Sequence, residues 1–179
     1  VIPSLEIKGT KHLTIDSNNK TISADTLSLT SRPDLTVIGE LILPASEGFG
    51  DITIGDGSSD SSLKFTGTGD SSITSLTIKE KGTFIPNSGK LTNSGNWVNN
   101  AGNSGFTYGT SNIIFSGTNP KISGTNTFYT LKADSTTTIT FSDDLTVTNT
   151  FIAGPITFFM GNCDFSALTT FTHSNGTIY

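Results

Sequence analysis

Phe84, Phe106, Phe128, Phe151 and Phe171 recur at a step of about 22 residues, a period typical of repeat architectures. Thr83, Thr127, Thr150 and Thr170 precede four of them, and the same step taken backwards from Phe84 reaches Leu63 and then Leu41. One step held across seven apolar positions limits the fold more than any local propensity does. Units that repeat in this way bury their apolar side against their neighbours, not alone. A second marker shares the step. The triplet Leu-Thr-Ile/Val starts at Leu13 and Leu35, one such step apart, and again at Leu76 and Leu145, three steps apart. A third, FTGT from Phe65 against FSGT from Phe115, is separated by somewhat more than two steps and requires loop insertions.

Within each unit the apolar residues alternate with polar ones. In TTTITFS, Ile139 and Phe141 face one way and Thr138, Thr140 and Ser142 the other, and LTVTNTF, LSLT and DITIGD follow the same rule. Period two over short stretches rich in β-branched residues is the signature of short strands. Clusters such as GDGSSDSS, NSGKLTNSGN and NNAGNSG supply turns between them. No long stretch carries an apolar i, i+3, i+4 pattern, so very little helix is expected.

Short strands, frequent turns and a step of about 22 residues predict an all-β chain folded as one parallel β-solenoid over positions 1–179, with about eight coils. Equivalent residues of successive coils then stand about 4.8 Å apart, and one phase of the sequence becomes an internal ladder. Leu41, Leu63, Phe84, Phe106, Phe128, Phe151 and Phe171 are the predicted rungs, with Asn126-Thr127-Phe128 and Asn149-Thr150-Phe151 read as one corner of two successive coils. An antiparallel β-sandwich or jelly roll is the alternative, but it has no reason to return phenylalanine to one phase at a fixed step. A leucine-rich repeat would need an L-x-x-L-x-L-x-x-N core, which is absent.

Composition narrows the function classes. Charged residues make up only 14% of the chain, while Ser, Thr and Asn supply more than a third of it, so the surface is mostly hydroxyl and amide. A formal charge of −5 with isolated lysines disfavours a nucleic-acid partner, which needs clustered cations to displace counterions. No apolar run approaches the roughly 18 residues of a membrane-spanning helix. The lone Cys163 cannot form an internal disulfide and reads as a small apolar residue. The opening at Val1 without Met favours an exported protein, extracellular or on the cell surface.

The stretch IIFSGTNPKISGTNTFYTLKADSTTTITFSDDLTVTNTFIAG, with ALTTFTHSNGTIY after it, resembles the Thr/Asn/Gly-rich repeats of bacterial secreted or surface-attached β-helix proteins of the adhesin type. The resemblance runs from about Leu63 to Tyr179. It implies a β-helical rod and brings no catalytic residues with it.

Candidate sites are few. His12 and His173 are about seven coils apart in the predicted solenoid, too far to share a triad. Asp143 and Asp144, with Asp134, are the best acids for polysaccharide cleavage, though as a pair they read as a turn that caps backbone amides. Asp51, Asp56 and Asp60 between glycines form a weak calcium candidate, without the D-x-D-x-D-G order of a known loop. The Thr-x-Thr pairs at 125–127, 136–140 and 146–148 do not recur at the step that a flat, water-ordering face would need. Trp97, Tyr108 and Tyr129 are the candidate glycan contacts, the two tyrosines one step apart and hence on neighbouring coils. The leading expectation is a non-enzymatic structural or adhesive rod segment that associates end to end with itself or with neighbouring repeats and contacts glycans or host surfaces. The alternative is a carbohydrate-binding or polysaccharide-cleaving β-helix.

Overall fold

A computed structural model of the chain describes residues 1, 4–7, 12–29, 31–45, 48–134, 138–154, 157–160, 164–167, 169–173 and 177–178. Cys163, Thr136 and Thr137 lie outside them. The described strands pair in parallel throughout and stack as a β-solenoid of about 7 turns, with about 21 residues to a coil. One short 3-10 turn, Gly102–Ser104, is the helical exception among the described residues.

Each coil contributes to up to three stacks of strands. The first stack contains 12–16, 34–38, Asp51–Ile54, Ser75–Ile78, Trp97–Asn99, Lys121–Ser123, Thr138–Phe141, Thr157–Phe159 and Thr177–Ile178. The second contains 21–23, 40–44, Ser61–Thr66 and Gly82–Ile85, a single bridge from Phe84 to Phe106, and then 126–128, 145–147 and Phe165–Ala167. The third runs through Ser71–Ile73, Lys90–Asn93, Asn112–Phe115, 130–133, 150–153 and Thr170–His173, with Gly48 bridged to Ser72 and the pair Leu5–Ile7 and Leu27–Leu29 at the start of the chain.

The inward residues are buried in one continuous cluster. Along the first stack Leu13, Leu35, Ile52, Leu76, Trp97, Ile122 and Phe141 pair in sequence, although the step is short from Leu35 to Ile52 and long from Trp97 to Ile122. The variation is taken up at the corners. A polar corner gains or loses residues into water, whereas a slip by a single position inside a strand turns its whole apolar set outward.

The rungs predicted from the phenylalanine step divide between two stacks. Leu41, Leu63, Phe84 and Phe106 pair in order, and the Phe106 ring packs on Phe128 with centroids 5.3 Å apart. Phe128 then pairs with Val147, whereas Phe151 pairs with Leu131 and Phe171 in the third stack. The two Asn-Thr-Phe echoes are thus not one corner: Asn126 aligns with Leu145, and Thr150 with Thr130. Two other echoes also cross stacks. Leu145 belongs to the second stack while Leu13, Leu35 and Leu76 belong to the first, and Phe65 lies in a second-stack strand while Phe115 ends a third-stack one. Every face imposes the same alternation and the same glycine-rich exit, so similar words arise on different faces.

The first corner, where the chain passes from the first stack to the second, repeatedly takes left-handed backbone, at Gly39 (φ 84°), Gly55 (φ 89°) and Gly124 (φ 78°). Gly124 has a second constraint, since a Cβ there would run into the backbone carbonyl of Asn99 in the coil below. Gly57 has a similar φ of 90° but open space around it. Gly57→Ala should therefore cost only the left-handed conformation, about 1 kcal/mol. Gly124→Ala adds a steric clash and should cost at least about 2 kcal/mol, measured as the shift in urea midpoint by circular dichroism. Equal midpoints for the two variants would contradict the close approach of these coils.

Candidate binding groove and the corner residues

Asparagine and aspartate at the corners link the coils through backbone amides. Asp34 accepts the amide of Asp51 at 2.8 Å, Asp70 that of Lys90 at 3.1 Å, Asn96 that of Lys121 at 3.0 Å and Asp144 that of Asp164 at 2.9 Å. Asp143 reaches the other way, accepting the Gly124 amide at 2.6 Å. The pair Asp143 and Asp144 thus serves as coil-to-coil fastening, in keeping with a turn that caps amides. Asp134 sits outside that corner in an exposed ion pair with Lys132 at 2.8 Å.

Asn87, Asn93, Asn99 and Asn126 are buried. Asn126 is fully used: its amide donates to the carbonyls of Ser123 and Gly124, and its Oδ1 accepts the Trp97 indole N–H at 2.9 Å. Asn99 similarly donates to Gly102 and Thr125 and accepts from Ala101. An inward asparagine can hold a corner because its side chain substitutes for the strand partners that a bending backbone gives up.

This arrangement corrects the assignment of Trp97 as a glycan contact. Trp97 is 0% exposed and packs among Phe84, Phe106, Phe115 and Phe128, with centroids 4.9 to 6.1 Å away. It occupies an inward position of the first stack, between Leu76 and Ile122, so no face of it meets solvent. Tyr108 and Tyr129 do lie at the same corner of adjacent coils, each half-buried. Tyr108 packs on the core, and Tyr129 stands where the register slips between Phe128 and Thr130.

The three candidate calcium ligands are not gathered. The amide of Asp51 bonds to Asp34, while Asp56 Oδ1 accepts the amides of Ser58 and Ser59 at 2.8 and 3.0 Å in its own turn. Among the described residues no group of three His, Cys, Asp or Glu side chains is placed to hold a metal ion. His12 is exposed on the first stack, its Nε2 3.3 Å from the Thr36 hydroxyl, and His173 ends a third-stack strand near the far end of the solenoid.

Two outer features are not legible as sites in the sequence. Thr14, Thr36, Thr53 and Thr77 form a row in register on the outside of the first stack. Each falls inside an ordinary alternating strand, and the unequal steps between them hide the row. The second feature is a groove of about 720 Å³ along the first corner. One outward row, Thr21, Glu40, Ser62 and Thr83, runs along it in register. Lys20, Asp60 and Lys81 line it from the corner side, and Ser104 lies beyond Thr83 in the next coil. Gly39 and Gly82 also line it, and buried Ser61 accepts the Gly39 amide at 3.1 Å. Thr21 donates to the Glu40 carboxylate, and the Lys81 ammonium donates to the Ser58 carbonyl at 2.8 Å. The row members differ in type, so no echo betrays them.

No family model, curated protein or solved structure matches the chain. Among the described residues no helix is long and apolar enough to cross a membrane.

Two outcomes are expected from these contacts. Trp97→Phe leaves the buried Asn126 Oδ1 without its donor and should destabilise the fold by about 1–3 kcal/mol in urea denaturation. The bonds from Ser59 and Ser58 hold the exposed Asp56 carboxyl at about 2, below its ordinary 3.8. A depressed carboxyl supports the folded turn above pH 3.8 and loses that support as pH falls through about 2. The Ser58 and Ser59 amide shifts should therefore titrate with a midpoint near 2, and a midpoint at 3.8 would mean that the turn does not form.

Proposed function

We propose that the chain is a non-enzymatic structural or adhesive element, a β-helical rod segment of an extracellular or cell-surface protein or a subunit of a self-assembling filament. The observation that carries this reading is the far end of the aromatic interior. Phe171 occupies an inward row, in register with Phe151, yet it is 44% exposed where Phe151 is 3% exposed. An apolar ring in an inward row that is this open to solvent is a surface on which another copy of the rod can pack. The strands there, Phe165–Ala167, Thr170–His173 and Thr177–Ile178, pair in parallel with the preceding coil and offer their other edge for pairing with such a copy.

The surface composition agrees with this role. A rod faced with hydroxyls and amides carries little net field to draw in charged partners. The acids that would be the first choice for polysaccharide cleavage, Asp143 and Asp144, spend carboxylate oxygens on backbone amides of adjacent coils. The resemblance to bacterial surface β-helix repeats points the same way.

End-to-end association is tested by light scattering and negative-stain microscopy over rising concentration. Rods in multiples of a unit about 34 Å long, by the usual strand spacing over 7 turns, are expected. Phe171→Asp should shorten them. A chain that stays monomeric at high concentration sinks the filament form of the proposal.

A further inference from the structure

We infer that the groove along the first corner binds a linear, neutral, β-linked glycan lying parallel to the solenoid axis. The groove crosses five coils, from Lys20 and Thr21 to Ser104, which at the strand spacing is a run of about 19 Å. Gly39 and Gly82 are among its lining residues, and Gly82 packs its backbone tightly on the preceding coil, where a Cβ would press on the Ile54 carbonyl, 2.7 Å away.

The lining selects the class of ligand by what it can and cannot satisfy. No aliphatic or aromatic side chain lines the groove, so a wholly apolar ligand meets only the methyl and methylene groups of Thr and Lys among charged and hydroxyl groups it cannot satisfy. Lys20 and Lys81 are balanced by Glu40 and Asp60, so there is no excess charge to hold a polyanion or a polycation. The Thr21 and Thr83 hydroxyls already donate to the Glu40 carboxylate and the Ser104 carbonyl and are left as acceptors, while Ser62 and the ammonium groups supply donors, a mixture that suits a molecule covered in hydroxyls. An extended peptide is a poor occupant. Glu40 already pairs with Thr21 on one side and Ser62 on the other, so the groove holds no open strand edge to be augmented. The row Thr21, Glu40, Ser62, Thr83 repeats once per coil. The ring-to-ring repeat of a β-linked pyranose chain is close to that spacing, whereas a peptide rises about 3.4 Å per residue and falls out of step.

This site is separate from the tyrosine corner, and it does not depend on end-to-end assembly, which light scattering reads independently. It gives the adhesive reading a ligand. With no aromatic platform the affinity per chain is expected to be in the millimolar range, and a rod of many coils would gain by multivalency.

The test is an amide chemical-shift titration of the intact chain with glucose, cellohexaose and chitohexaose. Glu40, Ser62 and Thr83 amides should move with at least one hexasaccharide, which should bind about tenfold or more tightly than glucose. Ser62→Trp fills the groove from an outward, half-buried position and should abolish the shifts while the circular dichroism stays unchanged. Should that variant misfold, Thr83→Arg blocks the next rung and serves the same purpose. Absence of shifts at tens of millimolar hexasaccharide overturns the inference. So do shifts centred on Tyr108 and Tyr129, or shifts that survive in the folded blocking variant.

Discussion

Parallel pairing of each coil on the one before it is the constraint from which the rest of the structure follows. Because hydrogen bonds join Leu13 to Leu35, Leu35 to Ile52 and Ile52 to Leu76, side chains at one position meet their own kind instead of a complementary partner. An inward position must then be apolar in coil after coil, and an outward one must tolerate a like neighbour about 4.8 Å away. Like charges in such a row repel, whereas threonine and serine accept each other. The low charge of this sequence is the compositional imprint of that rule, and most of its Asp residues fall outside the strands, where the row is broken.

The same rule explains what the sequence discloses. Alternation and a near-constant step identify parallel stacking, because both are imposed on every strand, and the solenoid is legible from Phe84, Phe106 and the Leu-Thr-Ile triplets alone. The face on which a strand lies is imposed by the number of residues spent in corners, which leaves no pattern in the strand itself. Hence Phe151 reads as the successor of Phe128 although it stands above Leu131. Trp97 misleads for a related reason. A lone tryptophan suggests a stacking platform for sugars, but its position within Trp97–Asn99 is in phase with the buried Leu76 and Ile122, and burial follows phase. The groove is invisible in the sequence because it is lined by side chains whose types differ from rung to rung.

Polar side chains inside the solenoid have a defined place. Asn87, Asn93, Asn99 and Asn126 occur where the chain leaves or enters a strand, and their amides take over hydrogen bonds to carbonyls of the turns. The outer Asp and Asn residues do the same for amides from the solvent side. A corner is therefore fastened from both faces, which allows its length to vary without loosening the strands on either side. The ion pair of Lys90 with Asp70, at 3.0 Å and exposed, adds little to this, as surface pairs generally do.

The pairing of each strand only with its neighbours above and below also has a mechanical side. No described strand closes the structure by joining the first coil to the last. Tension applied along the axis passes through every inter-coil interface in series, and a coil that peels away leaves an equivalent interface beneath it to carry the same load. Such a rod yields in steps and lengthens by about one coil of chain at each, so it dissipates a pull as a series of small releases instead of failing as a unit.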